Sequence, residues 1–169
     1  QSCNPYFWCA FRDMLQRGGY GEENENFRHN HEVWRDDMLS FGFGQRFEDS
    51  DVGYQSAGSI PSTRFYDKYY GKTGWKAITI RSLSIGQGEV LVTPLQLANQ
   101  AAMIANKGYF ITPHLNKTDS MRLHRHQTHI DSSYFSVVQE GMHRVMTNGT
   151  GRWYKVPGVE SAGKTGTVQ

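Results

Sequence analysis

Two short motifs near opposite ends of the sequence hold the residue types best suited to chemistry: Ser2-Cys3-Asn4, a Ser-x-Asn triplet, and Lys164-Thr165-Gly166-Thr167. A primary amine beside two hydroxyls suits a carboxylate, since Lys164 sets a positive field and Thr165 and Thr167 can donate to oxygen. On an extended edge, Gly166 lets a ligand backbone lie close. The same letters admit two other readings. Residues 158–165 match the phosphate-loop pattern G-x-x-x-x-G-K-T, which would make the chain a P-loop NTPase. That loop needs a buried strand before it and a helix opening at the lysine. Here 151–157 is polar and ends in Pro157, and Gly166-Thr167-Val168 is a poor helix opening. Ser161 and Lys164 also fit Ser-x-x-Lys, a pair that works on one helix face. Gly163 and the β-branched residues after it favour a strand over 161–168, where positions three apart face opposite ways, so Ser161 is rejected as a nucleophile. A second copy, Lys72-Thr73-Gly74, lacks the second threonine and reads as a turn.

The elements that must position these motifs are legible in part. Pro5 in a first-turn position and Phe7, Phe11, Met14 and Leu15 at helical spacing predict a helix over 4–16, closed by Gly18-Gly19. Val33, Trp34, Met38 and Phe41 predict a weaker one over 30–41. Residues 42–75, rich in Gly, Ser, Asp and Tyr, are expected to form a long irregular loop. The clearest helix spans 93–107: Thr93 caps it, Pro94 takes N1, and Gln96 stands at the capping-box position. Its stripe of Leu97, Ala98, Ala101, Ala102, Ile104 and Ala105 is expected to pack closely on a neighbour. Residues 109–115 read as a strand. Asp131 should cap a last helix with Tyr134, Val138, Met142 and Val145 inward, stopped by Asn148-Gly149. Helices with a few late strands make the fold class α+β.

Gross composition excludes several function classes. The formal net charge of +2 argues against nucleic acid. No apolar run reaches the roughly 20 residues of a bilayer-spanning helix. A mean hydropathy of −0.63 over 169 residues, opening on Gln1, suits part of a larger domain. Cys3 and Cys9 lie six positions apart, about 240° around a helix, and cannot bridge each other. His29 with His31, and His124 with His126 and His129, have metal-like spacings but no acidic or cysteine company, and they read as solvated loop histidines. Trp8, Trp34, Trp75 and Trp153 read as core or loop anchors. No metal or cofactor is implied.

Between the two motifs lie Ser84-Ile-Gly-Gln-Gly-Glu89, Thr93-Pro-Leu-Gln-Leu-Ala98, Ala105-Asn-Lys-Gly108 and Pro113-His-Leu115, preceded by Phe41-Gly-Phe-Gly44 and Gly58-Ser-Ile-Pro61. In that order the sequence resembles class B penicillin-binding proteins, the elongation-type branch (penicillin-binding protein 2) above all. The likeness runs over nearly the whole chain. It implies a fragment, 1–169, of one transpeptidase domain of the penicillin-binding protein and serine β-lactamase-like fold, with Lys-Thr-Gly on its edge strand. The third signature of that fold, Ser-x-x-Lys with the acyl-accepting serine, is missing on this reading, so the fragment alone should be inactive. The resemblance also implies roles. Ser2 would relay a proton, Asn4 would orient the absent lysine and bind substrate, and Lys164 would hold Ser2. Thr165 and Thr167 would bind a terminal carboxylate beside Gly166, with the Thr167 N–H in the oxyanion hole. It implies D-Ala-D-Ala stem peptides and β-lactams as ligands and a membrane glycosyltransferase of the elongation machinery as partner. The implied location is an inner membrane, with the catalytic domain in the periplasm. Gly86-Gln87-Gly88 would line the groove. A β-lactamase or β-lactam-sensing receptor shares these motifs and is the alternative implied by the same resemblance.

Overall fold

The computed structural model describes residues 2–18, 23–117 and 124–166. In these the chain forms helices α1 (Asn4–Leu15), α2 (Glu23–Ser40), α3 (Thr63–Tyr70), α4 (Pro94–Ala105) and α5 (Ser132–Thr147). Strands β1 (Tyr109–Ile111) and β2 (Arg125–Gln127) and two 3-10 turns, Arg81–Ile85 and Arg152–Tyr154, complete it. The α+β expectation holds. Strands β1 and β2 pair antiparallel with Tyr109 opposite Gln127, Phe110 opposite His126 and Ile111 opposite Arg125. The two-residue period turns Phe110 alone of β1 into the interior.

Two apolar clusters hold the molecule. The first gathers Phe11 and Leu15 of α1, Phe27 of α2 and Tyr66 of α3 with Trp75, Ala77, Ile80 and Leu83. Helix α1 is thereby seated on the Arg81–Ile85 turn, and the Arg81 guanidinium lies 5.0 Å from the Trp8 ring. Its C-terminal carbonyls are closed from outside, because Asn30 Nδ2 donates to Leu15 O and Arg17 O at 2.9 and 2.8 Å. The second cluster joins Phe47, Met103, Phe110 and Phe135.

The helix 93–107 forms as its capping residues dictate: Thr93 Oγ1 accepts from Gln96 N–H while the Gln96 side chain accepts from Thr93 N–H. Its inward face, however, is the reverse of the expected one. Gln96, Asn99 and Met103 are buried, whereas Leu97, Ala98, Ala101, Ala102 and Ala105 are exposed. The amides go inward because loop carbonyls need donors. Gln96 Nε2 donates to Gln45 O and Ala57 O at 2.9 and 3.0 Å, and Asn99 Nδ2 to Phe41 O at 3.0 Å. Beside them Gly58 has φ +64°, and a Cβ there would lie 2.2 Å from Leu91 O, so the bridge between Ser59 and Leu91 requires glycine.

Five further expectations are corrected. Helix α2 begins at residue 23 rather than 30, because Phe27 joins the core and Arg28 makes a bidentate pair with Asp67. The supposed loop 42–75 contains α3. Ser62 caps it, its buried Tyr66 donates to Glu89, and its Asp67 also accepts from Trp75 Nε1. Over 161–166 neither helix nor strand is assigned, because no ladder partner lies alongside among the described residues. Helix α5, capped by Asp131 as expected, buries Phe135, while Tyr134 and Val138 face solvent. Trp153 is likewise exposed.

Candidate active site

The two terminal motifs, 162 positions apart, meet. Lys164 Nζ donates to Ser2 Oγ at 3.0 Å and also to Thr165 O at 2.8 Å. Ser2 stands two residues ahead of α1, whose first turn carries Asn4 and Pro5. Lys164 Nζ occupies one lone pair of Ser2 Oγ, which leaves the serine proton and the second lone pair for another group. Such a hydroxyl can pass a proton between two neighbours.

An exposed amine–hydroxyl contact contributes little by itself, so surrounding structure must hold it. On the serine side this is α1 on the Arg81–Ile85 turn. On the lysine side it is α5. Gly163 N–H donates to Met142 O at 3.1 Å, fixing the residue before the lysine, and Glu160 lies 3.9 Å from His143 Nδ1. Thr165 Oγ1 is 3.2 Å from Thr150 Oγ1 in the turn after α5. Sequence reasoning missed Met142, His143 and Thr150 as supports, since nothing local marks them.

Among the expected site residues, Ser2 and Lys164 are in contact, Thr165 follows directly, and Asn4 and Gly166 are exposed nearby in sequence. Thr167 lies outside the described residues. No helix opens at Lys164, so the phosphate-loop geometry is not formed. Lys72-Thr73-Gly74 is a turn after α3, closed by Gly74 N–H to Gly71 O at 3.2 Å.

The histidines are not solvated loop residues as a group. His29 and His31 lie on α2, and His31 is fully buried among Trp34, Tyr66 and Trp75 at ring-centroid distances of 5.5–5.7 Å. Desolvation, the largest influence, lowers its pKa to about 4; Glu32 opposes this, and Arg35 and Arg28 reinforce it. His126 on β2 stacks on Phe110 and meets Thr112 Oγ1 at 2.9 Å, and burial lowers its pKa. Of these five, His124 and His129 are the loop residues facing solvent, near Asp49 and Asp37 respectively.

A family model described as the penicillin binding protein transpeptidase domain matches residues 1–169. The chain belongs to that family. It is 32% identical over 177 residues to the peptidoglycan D,D-transpeptidase MrdA of Acinetobacter baumannii, covering 99% of this chain and 24% of that protein. Its fold matches Pseudomonas aeruginosa PBP2, solved with WCK 5153, with a TM-score of 0.63 and 28% identity over 89% of this chain and 32% of the other. It also matches penicillin-binding protein 2B of Streptococcus pneumoniae, with a TM-score of 0.72 and 22% identity over 98% and 28% of the two chains. The penicillin-binding protein 2 type is therefore the branch this transpeptidase-family chain resembles. It spans about a quarter of the length of the curated relatives it matches.

Proposed function

We propose that the protein to which this chain belongs is a peptidoglycan D,D-transpeptidase. The observation that carries the reading is the 3.0 Å contact from Lys164 Nζ to Ser2 Oγ, which brings the two motifs together from opposite ends of the chain. In the proposed reaction a serine hydroxyl, supplied by a part of the protein outside this chain, attacks the penultimate carbonyl of a D-Ala-D-Ala stem peptide. The new bond is a Ser O–acyl ester, the amide C–N bond breaks, and the attacking proton passes through a lysine and the Ser2 hydroxyl to the departing D-alanine amine. An amine of a second stem then takes the acyl group and returns the serine.

Each proposed site residue has one task. Asn4 orients that lysine and bonds the substrate's acyl-side amide. Lys164 holds Ser2 and adds positive potential, as its donor geometry supports. Thr165 and Thr167 grip the terminal carboxylate beside Gly166, and the Thr167 N–H serves as one oxyanion donor. Such a donor typically contributes about 3–4 kcal/mol to the transition state. An extended substrate would lie along 161–166, whose backbone has no ladder partner among the described residues. β-Lactams acylate the same serine. The location proposed is the periplasmic side of an inner membrane, beside a glycosyltransferase of the elongation machinery. No helix among the described residues is long and apolar enough to cross a membrane.

Fluorescent penicillin tests the reading. A protein that contains this chain together with a Ser-x-x-Lys segment should form a stable covalent adduct, and the chain alone should form none. In the longer protein Lys164→Ala should slow labelling by about a hundredfold or more. Stable labelling of the chain alone, or none of the longer protein, would overturn the proposal.

A further inference from the structure

We infer that Thr150 fixes the direction of the Thr165 hydroxyl and thereby acts as a positioning residue for the substrate carboxylate. The inference rests on the transpeptidase reading and extends it to a residue outside the family's signature motifs. Thr150 sits in the Asn148-Gly149-Thr150-Gly151 turn that closes α5, with its Oγ1 3.2 Å from Thr165 Oγ1. That turn is pinned to the helix end, since Gly149 N–H donates to Arg144 O at 2.8 Å and Gly151 N–H to Val145 O at 2.9 Å. A Cβ at Gly149 would come within 2.8 Å of Val145 Cα, so the turn packs directly against the helix end at this glycine. The facing segment is tied to the same helix through Gly163 N–H and Met142 O. Both hydroxyls therefore ride on backbone referenced to α5, and their separation does not depend on their own weak contact.

Proton counting gives the contact a direction. A hydroxyl has one proton and two lone pairs, and a carboxylate only accepts. To bind the carboxylate, Thr165 must give its proton away, so the proton in the contact between the two threonines must come from Thr150. Thr150 thus donates to Thr165, and Thr165 donates to the ligand. The negative charge at the end strengthens both bonds in the relay. Without the Thr150 donor, the Thr165 rotor has no fixed acceptor role and shares its proton with water.

The test uses the intact protein with penicillin and with a D-Ala-D-Ala peptide. Thr150→Val keeps the shape and removes the donor. It should weaken apparent binding of both ligands by about tenfold, roughly the loss of one hydrogen bond, while the limiting acylation rate stays within about twofold. Thr150→Ser should restore binding. In a Thr165→Val background, Thr150→Val should add nothing. A carboxylate-masked penicillin ester should react equally with wild type and Thr150→Val. Wild-type binding by Thr150→Val, failure of Thr150→Ser to rescue, or an equal loss on the ester would each overturn the inference. If wild type itself takes no label, the transpeptidase reading falls instead.

Discussion

At the scale of single residues, the imidazole of His31 is the most consequential group that the site does not use. It is buried against three aromatic rings, and neither ring nitrogen has a hydrogen-bond partner among the described residues. In an unfolded chain it takes a proton below about pH 6.5, but in the fold only below about 4. Between those values the unfolded state holds more protons, so stability falls as pH falls through the window. At pH 4.5 the loss relative to pH 7 should be about 2–3 kcal/mol. The Asp67 carboxyl does not confuse the reading. Arg28 first and Trp75 second hold its pKa at about 2, so its contribution is present above the unfolded value and is lost only in stronger acid. His31→Leu should flatten the urea midpoint between pH 7 and 4.5, because an apolar side chain needs neither a proton nor a partner. Identical pH slopes for wild type and His31→Leu would sink this account. The proposed site residues were far more legible. Ser2 and Lys164 declared themselves by motif, whereas Thr150 is a hydroxyl in an ordinary turn, and its pairing with Thr165 exists only once α5 has folded.

At the scale of elements, helix ends were legible and helix faces were not. Thr93, Pro94, Gln96 and Asp131 are local signals read by adjacent backbone groups, and each does what its type dictates. Which face turns inward depends on what lies opposite. The alanines of α4 gave way to Gln96 and Asn99 because three loop carbonyls, at Phe41, Gln45 and Ala57, required donors. Helix α3 was missed for a related reason: its cohesion lies in Asp67 with Arg28 and Tyr66 with Glu89, contacts 39 and 23 positions apart. Residues 161–166 illustrate the converse, since the β-branched Thr165 cannot make a strand without a ladder to join. The balance at α4 can be weighed. Thr93→Ala removes one cap bond and should cost about 1 kcal/mol. Gln96→Leu takes the donor from two part-buried carbonyls and the acceptor from the Thr93 N–H, three hydrogen bonds worth about 1 kcal/mol each, so it should cost well over twice as much. Chemical denaturation of the two variants gives the ratio, and equal costs would mean that Gln96 is merely the other half of the cap.

At the scale of the whole molecule, the Ser2–Lys164 contact spans the two apolar clusters. Ser2 precedes α1, which belongs to the first; Lys164 follows α5, whose Phe135 belongs to the second. Three connections carry the geometry between them. Helix α2 runs from Phe27 in one cluster into the 41–47 segment that delivers Phe47 to the other. Gln96 and Asn99 tie that segment to α4. Asp37 and Ser40, at the end of α2, approach His129 just before α5. Since these links are buried amides and a continuous helix rather than a linker, the clusters should unfold as one cooperative unit. Tryptophan makes this measurable, because buried Trp75 and the flanking Trp34 report on the first cluster and the second holds none. Phe135→Leu, a loss of packing confined to the second cluster and costing about 1–2 kcal/mol, should move the fluorescence and circular-dichroism transitions together by the same increment. A fluorescence midpoint that stays in place while the circular-dichroism midpoint falls would separate the clusters. The Ser2–Lys164 contact would then join two independently melting bodies, and its 3.0 Å geometry could not be maintained by the fold as described.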